Sequence, residues 1–374
     1  MGLTISHASA LRVTRDLRAQ GEDLRQMSNV AIARPSPWVG RRWSMKEFFP
    51  PAWKWDRPSP ARPLHVVTTR SSGRIRLQNV RCHVQAASLP PNAVVWLDER
   101  SSMCGPEYLF VQMAESLTLP ELVLLGYELC GNYSRSKDDP TRGPVTDGVC
   151  PATTVDDLYA FAWGVNRIPG AAKARQATRY IADHAVSVPE AILATMYSLP
   201  TEEGGYDMGP VRLNERVSAI DDDTPDYQGT SRRNARTRYP DLMFSFASIG
   251  INYDGVDHLD LSGLVEAARR SALADPASEE GRSARSGLDD RLRAVRTKYV
   301  DDIQRNRQLA ARGKIVFPAT KEDLYGTDGL DNLTRQVVLC AHEVFGSEVG
   351  TFLRTLDDTA LKRDRSLLLS SMLP

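Results

Sequence analysis

The sequence has few cysteines and no long apolar run. Its five cysteines are odd in number, irregularly spaced and never arranged as C-x-x-C: Cys82, Cys104, Cys130, Cys150 and Cys340. This pattern argues against a disulfide framework and against a structural zinc site, and it fits a reducing compartment. No stretch of 18 apolar residues occurs, and the first 20 residues lack the apolar run of a signal peptide. We therefore expect a cytoplasmic protein without a membrane partner.

The common phosphate-binding and hydrolase motifs are also missing. There is no G-x-G-x-x-G, no Walker loop, no G-x-S-x-G elbow and no H-E-x-x-H, because Ala341-His342-Glu343 lacks the second histidine. No nucleotide cofactor is therefore expected. His65, His83 and His184 are scattered along the chain, and we interpret them as structural or surface residues.

The length of 374 residues predicts two or three domains. The composition, 41% hydrophobic and 25% charged, is typical of a soluble globular protein. The charges balance overall but not along the chain. Residues 1–76 hold fourteen Lys or Arg against five Asp or Glu, a net charge of +9, which leaves −9 for the rest. An electropositive segment favours an anionic partner such as nucleic acid.

The first 60 residues are rich in proline and tryptophan as well as basic. Seven prolines lie between residues 35 and 63, together with four of the six tryptophans, and Arg41 and Arg42 stand among them. Interleaved aromatic and basic side chains could stack on bases and contact phosphates. The alternative, which we favour, is a proline-rich loop whose tryptophans pack against the domain surface.

The remaining patterns predict an α/β protein with two further regions. Residues 61–185 alternate strand-like and helix-like stretches and form a small α/β unit followed by helices. Residues 186–374 run helix, three strands, helix, strand, helix, which predicts a mixed central sheet flanked by helices. The polar stretch near 275–287 reads as a loop insertion in this domain.

A predicted β-hairpin, RYPDLMFSFASIGINYDGVDHLD at residues 238–260, places polar residues inside strand patterns. If its turn centres on residues 247 and 248, Asp241 faces Asp254 across the ladder. Asn252 then lies on the same face as Asp254, because residues two apart in a strand point the same way. The hairpin therefore gathers two carboxylates and one amide.

This gathering predicts a site for Mg²⁺. Asp241, Asn252 and Asp254 would hold the ion, Glu190 from the preceding helix would position the metal or its water, and His258 is the candidate proton-transfer group. The ion would polarise a phosphodiester and lower the pKa of the attacking water. The structural alternative is that Asp254-Gly255 is a turn dipeptide and that Glu190 favours a helix dipole.

Three stretches here resemble the very-short-patch-repair (Vsr)-related endonuclease-like domains of actinobacterial proteins. They are Pro189-Glu190 through Asn214, the hairpin YPDLMF…INYDGVDH, and DDIQRNRQLAARGKIVFPATKEDL. The resemblance implies a restriction-endonuclease-like fold of the PD-(D/E)XK type, and Arg305 and Arg307 are expected to contact nucleic acid. The positions that match the family pattern are Glu190, Asp241, Asp254, Gly255, His258, Asp302, Arg305 and Gly313.

The upstream region resembles AbiEi-type antitoxins of abortive-infection systems. The residues that carry this resemblance are SHASALR at 6–12, GPEYLFVQMA at 105–114 and LPELVLLGYELCGNY at 119–133. The resemblance implies a role in defence or in a toxin–antitoxin pair, with a cognate toxin as a protein partner.

Asn252 departs from the family pattern, which has glutamate at that position, and the lysine common in the wider superfamily is missing after Asp254. An amide oxygen brings no charge, so a metal site that uses it binds a hard cation more weakly. We therefore expect a DNA-acting protein with a nuclease-like domain, either a weakened or inactive endonuclease or one whose metal relies on Glu190, Asp241 and Asp254. The alternative is a non-catalytic antitoxin or transcriptional regulator that binds DNA.

Overall fold

The computed structural model describes residues 3–30, 58–71, 74–98, 101–218, 237–254, 261–275 and 277–373. The chain forms two compact units, one made of Met1–Val211 and Arg363–Pro374 and the other of Arg212–Lys362. The boundary predicted at residue 186 lies inside the first unit. Residues 31–57, with most of the proline-rich segment, lie outside the described residues.

The first unit is built on a five-stranded sheet. In chain order its strands are β1 Leu3–Ile5, β2 Leu64–Thr68, β3 Val80–Val84, β4 Val94–Asp98 and β5 Ser101–Cys104. They lie in the order β3-β2-β1-β5-β4. β1 is antiparallel to β2 and parallel to β5, β2 is parallel to β3, and β4 is antiparallel to β5, so the sheet is mixed.

Helices of the first unit begin at recognisable caps. Thr118 forms a capping box with Glu121, and Thr154 and Ser187 each accept a hydrogen bond from the backbone N–H three residues later. The α-helices are α1 His7–Ala19, α2 Pro106–Met113, α3 Leu119–Cys130, α4 Val155–Gly164, α5 Ala171–Ala177 and α6 Val188–Ser198. Shorter pieces are the 3₁₀ helices Leu24–Gln26, Pro91–Ala93, Thr178–Tyr180 and Thr201–Glu203 and the paired strands β6 Tyr133–Ser134 and β7 Thr146–Asp147.

The core of the first unit contains a charged network beside its apolar side chains. Leu122 and Tyr127 of α3 are fully buried, and so is Arg18 of α1, which is 1% exposed. Arg18 donates to the carbonyl oxygens of Glu128, Gly131 and Cys150. A buried cation is tolerated when its donors are satisfied in this way, so these bonds hold α1 against the end of α3.

A four-stranded sheet forms the centre of the second unit. Its strands are β8 Val211–Leu213, which crosses the unit boundary, β11 Leu242–Phe244, β12 Ile249–Asp254 and β13 Ile315–Thr320. They lie in the order β13-β12-β11-β8, with β12 antiparallel to β11 and parallel to β13. A separate antiparallel pair consists of β9 Val217–Ser218 and β10 Thr237–Arg238. The mixed α/β class predicted from the sequence is confirmed.

The helices of the second unit include one of 32 residues. They are α7 Leu261–Leu273, α8 Glu279–Ala310, α9 Lys321–Tyr325, α10 Gly329–Phe345 and α11 Gly350–Asp357, while α12 Thr359–Met372 crosses into the first unit. The loop insertion predicted near 275–287 is wrong, because α8 already begins at Glu279. Ser278 caps it by accepting from the Gly281 N–H, and α8 packs along α7. Two glycines cost about 1 kcal/mol each in a helix, which capping and packing offset.

Candidate functional site

The hairpin formed by β11 and β12, which we call the acidic hairpin, has a different register from the predicted one. Leu242 pairs with Ile251 and Met243 with Gly250, which brings Asp241 opposite Asn252 rather than Asp254. This alignment requires a glycine at position 250, since a Cβ there would overlap the Leu242 carbonyl oxygen and the Met243 sulfur. The connection accordingly spans residues 245–248, two residues more than a tight hairpin turn needs. The predicted pairing of Asp241 with Asp254 is therefore wrong.

Two hydrogen bonds link Asp241 to the neighbouring strand, one to Asn252 and one to Tyr253. The Asp241 N–H donates to Asn252 Oδ1 at 3.0 Å, and the Tyr253 N–H donates to Asp241 Oδ2 at 2.6 Å. Asn252 is only 2% exposed. These side chains replace ladder hydrogen bonds at the end of β11, so in this structure the amide oxygen and one carboxylate oxygen are used to hold the hairpin together.

Asp254 lies beside a cation supplied by α8. Arg305 Nη2 is 3.8 Å from Asp254 Oδ1 and 3.2 Å from Asp302 Oδ1, and all three side chains are largely buried. Asp254, Asp302 and Arg305, three of the positions that match the family pattern, thus lie together in space. Arg305 offsets one of the two negative charges, and its guanidinium would repel a divalent cation in the same place.

Glu190 performs a capping role in the first unit. Its N–H and Oε1 both bond Ser187 Oγ, at 3.4 and 2.9 Å, and its Oε2 accepts from the Val186 N–H at 3.1 Å. The side chain is 5% exposed. Both carboxylate oxygens therefore accept hydrogen bonds at the start of α6, which matches the structural alternative considered for this residue.

Several predicted site residues lie outside the described part of the chain. They are Arg41, Arg42, Gly255 and His258. Gly313, predicted to end the long helix, follows its last turn with φ +70°, where a side chain would be strained.

A stripe of arginines on α8 includes Arg307 but not Arg305, the other arginine predicted to contact nucleic acid, which instead contacts Asp254 and Asp302. At 100° per residue, five exposed arginines fall within an arc of about 80°, whereas Arg305 lies on another face. We call them the α8 arginine stripe: Arg282, Arg285, Arg293, Arg296 and Arg307. Asp289 shares the arc, which leaves a net charge of +4, and the stripe extends over about 38 Å of helix axis.

Three histidines of the first unit meet although they are far apart in sequence. Each of His7, His65 and His83 offers a ligand atom, and these atoms all lie within 4.8 Å of one another. His7 and His83 stack with ring centroids 3.7 Å apart, and Nδ1 of His65 is 3.0 Å from Nε2 of His83. His65 and His83, which are scattered in sequence, thus lie together in space, and His7 joins them.

The environment of this histidine cluster keeps its rings neutral. Burial and the neighbouring imidazoles lower the pKa of His7 to about 3. Burial, the charge of His83 and the charges of Arg81 and Arg12 lower the pKa of His65 to about 4. Burial and Arg81 also lower the pKa of His83. Neutral imidazoles keep a lone pair, which is the form that binds a metal.

The sequence contained only a weak signal for this cluster. His65 and His83 each precede a valine in a short strand pattern, LHVV and CHVQ. They share a face only because β2 and β3 are parallel neighbours, with Val67 opposite His83 and His65 opposite Arg81. Strand order is a tertiary property, so spacing alone could not reveal the cluster.

Comparisons with known proteins add no relative. No protein-family model matches the chain, and neither the curated proteins nor the solved structures give a match. Among the helices of the described residues, none is long and apolar enough to span a membrane.

Proposed function

We propose that the protein binds nucleic acid, with DNA as the expected partner, and that its second unit does so without cleaving it. The observation that carries the proposal is the α8 arginine stripe. Five guanidinium groups on one exposed helix face match a phosphate backbone, to which Arg bonds bidentately. A length of about 38 Å slightly exceeds one turn of B-DNA, about 34 Å.

The acidic hairpin supports the non-cleaving form of this proposal. The Asn252 amide oxygen and Asp241 Oδ2 accept hydrogen bonds that hold β11 to β12, and Arg305 Nη2 lies 3.8 Å from Asp254 Oδ1, so the ligand set expected for Mg²⁺ is partly engaged in structural contacts. The resemblances to endonuclease-like domains and to antitoxins favour the same reading, that of a defence-related or regulatory protein. Only the resemblance to AbiEi-type antitoxins supports a toxin as a protein partner.

Two double substitutions on the same helix test DNA binding. We expect Arg293→Glu with Arg296→Glu to weaken duplex binding at least about tenfold at low salt and to reduce the slope of log K against log salt by about 2, because two phosphate contacts are lost. Fluorescence anisotropy at several salt concentrations measures both quantities. The matched control is Arg291→Glu with Lys298→Glu, which makes the same charge change on the opposite face of α8.

Equal losses in the two double variants would reject the stripe as the binding surface. Duplex and single-stranded DNA should also be incubated with Mg²⁺ and the wild type, Asp241→Ala and Asn252→Glu proteins, with folding checked by circular dichroism. We expect no cleavage by any of them. Cleavage by the wild type that Asp241→Ala abolishes would replace this proposal with the endonuclease alternative.

A further inference from the structure

We propose that His7, His65 and His83 form a binding site for one divalent transition-metal ion, for which Zn²⁺ is well suited. The site lies in the first unit and is independent of the α8 arginine stripe. Three of the six histidines in the chain converge there from three separate parts of the sequence. Imidazole nitrogen is the ligand that Zn²⁺, Cu²⁺ and Ni²⁺ share, and Mg²⁺ and Ca²⁺ disfavour it.

The distances are close to what a tetrahedral ion needs. Zn–N bonds of 2.0–2.1 Å place two ligand nitrogens about 3.3 Å apart. The His65 and His83 nitrogens are already 3.0 Å apart, and all three ligand atoms lie within 4.8 Å. Rotation about the side-chain torsions, including those of the stacked His7 and His83 rings, would bring the three nitrogens onto one ion. The hydrogen bond between His65 and His83 would be exchanged for two metal–nitrogen bonds.

The surroundings of His7 provide the support that metal-binding histidines usually have. Its Nδ1 lies 3.0 Å from Ser6 Oγ, and Ser6 is fully buried. If Nδ1–H donates to this hydroxyl, Nε2 carries the lone pair for the metal, and the ring orientation is fixed. Ser6 makes no capping bond to α1 with its side chain, so the hydroxyl is not committed to the helix start.

The backbone of His7 has a conformation that residues other than glycine rarely adopt. His7 has φ +49°, and its N–H donates to Oε1 of the buried Gln112 at 3.1 Å. A non-glycine residue in this region costs on the order of 1–3 kcal/mol, so it persists only where the surroundings impose it. Here the junction between β1 and α1 directs the first residue of the helix towards the histidines of β2 and β3.

The site would keep an open coordination position. No fourth His, Cys, Asp or Glu of the described residues joins the three histidines. All three side chains are half-buried, so an ion can reach them from solvent. The positive charges of Arg12 and Arg81, which act on His65, oppose a divalent cation, and an anionic fourth ligand such as hydroxide would offset part of that repulsion. Three protein ligands with an open position are the arrangement of reactive rather than purely structural zinc sites.

Metal titration of the full chain tests the proposal. We expect one Zn²⁺ per chain by competition with a chromophoric chelator, and Co²⁺ should give the intense visible bands of a tetrahedral ion. His65→Ala or His83→Ala should weaken binding more than about 100-fold, since even supporting residues contribute 10–100-fold. Ser6→Ala should weaken it about tenfold. The matched control His342→Ala removes a histidine of the second unit and should leave the affinity unchanged.

Wild-type protein alone gives a second readout that does not depend on the folding of variants. Long-range ¹H–¹⁵N spectra recorded with and without Zn²⁺ should show shifts confined to the ring nitrogens of His7, His65 and His83. Absence of binding at one equivalent, or shifts at other histidines only, would overturn the proposal. Equal affinities of the wild type and a folded His83→Ala variant would do the same.

Discussion

Glu128→Ala is expected to destabilise the first unit by about 3–5 kcal/mol, because it leaves a buried arginine without its partner. Arg15 donates to both carboxylate oxygens of Glu128, at 2.8 and 2.7 Å, and the two side chains are 10% and 2% exposed. The Arg135 N–H also donates to Glu128 Oε1. Urea denaturation, with hydrogen exchange of α3 amides to assign the transition, measures the change.

A surface pair with one contact of the same length provides the control. Arg293 Nη2 lies 2.7 Å from Asp290 Oδ1, the same distance as in the buried pair, but these side chains are 74% and 66% exposed. Arg293→Ala should cost less than about 1 kcal/mol, since water screens the pair. Replacing both buried partners, Arg15→Met with Glu128→Leu, should recover much of the loss. Equal costs at the buried and exposed pairs would contradict this account.

The same pair should make stability depend on pH in the acid range. Burial raises the pKa of Glu128, but the charge and hydrogen bonds of Arg15 outweigh burial and hold that pKa below its ordinary value. A carboxyl with a lowered folded pKa stabilises above its unfolded pKa, about 4.3, and loses that contribution as the pH falls through the folded pKa. The stability difference between the wild type and Glu128→Gln should therefore shrink below about pH 4.

Gly170→Ala is expected to destabilise the first unit by about 2–5 kcal/mol, for two reasons that act together. Gly170 is the N-cap residue that precedes α5, with φ +84°, where a side chain costs about 1–2 kcal/mol. A Cβ there would also overlap the Val111 carbonyl oxygen, which the backbone of α2 fixes in place. Thermal and urea denaturation of the wild type and the variant measure the loss.

Gly148→Ala separates these two contributions. Gly148 also has a positive φ, +71°, but nothing lies within 4 Å of the position its Cβ would take. Its substitution should cost only the conformational part, about 1–2 kcal/mol. If the two variants lose the same stability, close approach of α5 to α2 does not constrain Gly170.

Local signals predicted several elements correctly, because they depend on residues close in sequence. The strand predicted between the last two helices of residues 186–374 is β13, and Thr320 caps α9 through a capping box with Asp323. The same local signals gave a wrong prediction for the stretch after Asp275. Glycine and serine there resembled a loop, yet Ser278 caps a helix whose packing on α7 outweighs their low propensity.

The register of the acidic hairpin could not be predicted from residues close in sequence. The sequence indicated both strands and their polar residues, but not the length of the turn between them. Phe246 packs within the turn against Phe244 and Phe352, with ring centroids 5.3 and 5.7 Å apart, and this long-range contact accompanies the four-residue connection. A shift of one turn position changes every cross-strand pair, so Asp241 meets Asn252 instead of Asp254.

The sequence by itself determined the α/β class and the basic character of residues 1–76, since both follow from short-range pattern or from composition. Only the tertiary structure decided the partners of the polar side chains. Asp241 bonds Asn252, Arg15 bonds Glu128 over 113 positions, and His7 meets His65 and His83. These contacts depend on strand order, register and helix packing, which are settled by the free energy of burying the whole core rather than by the residues nearby.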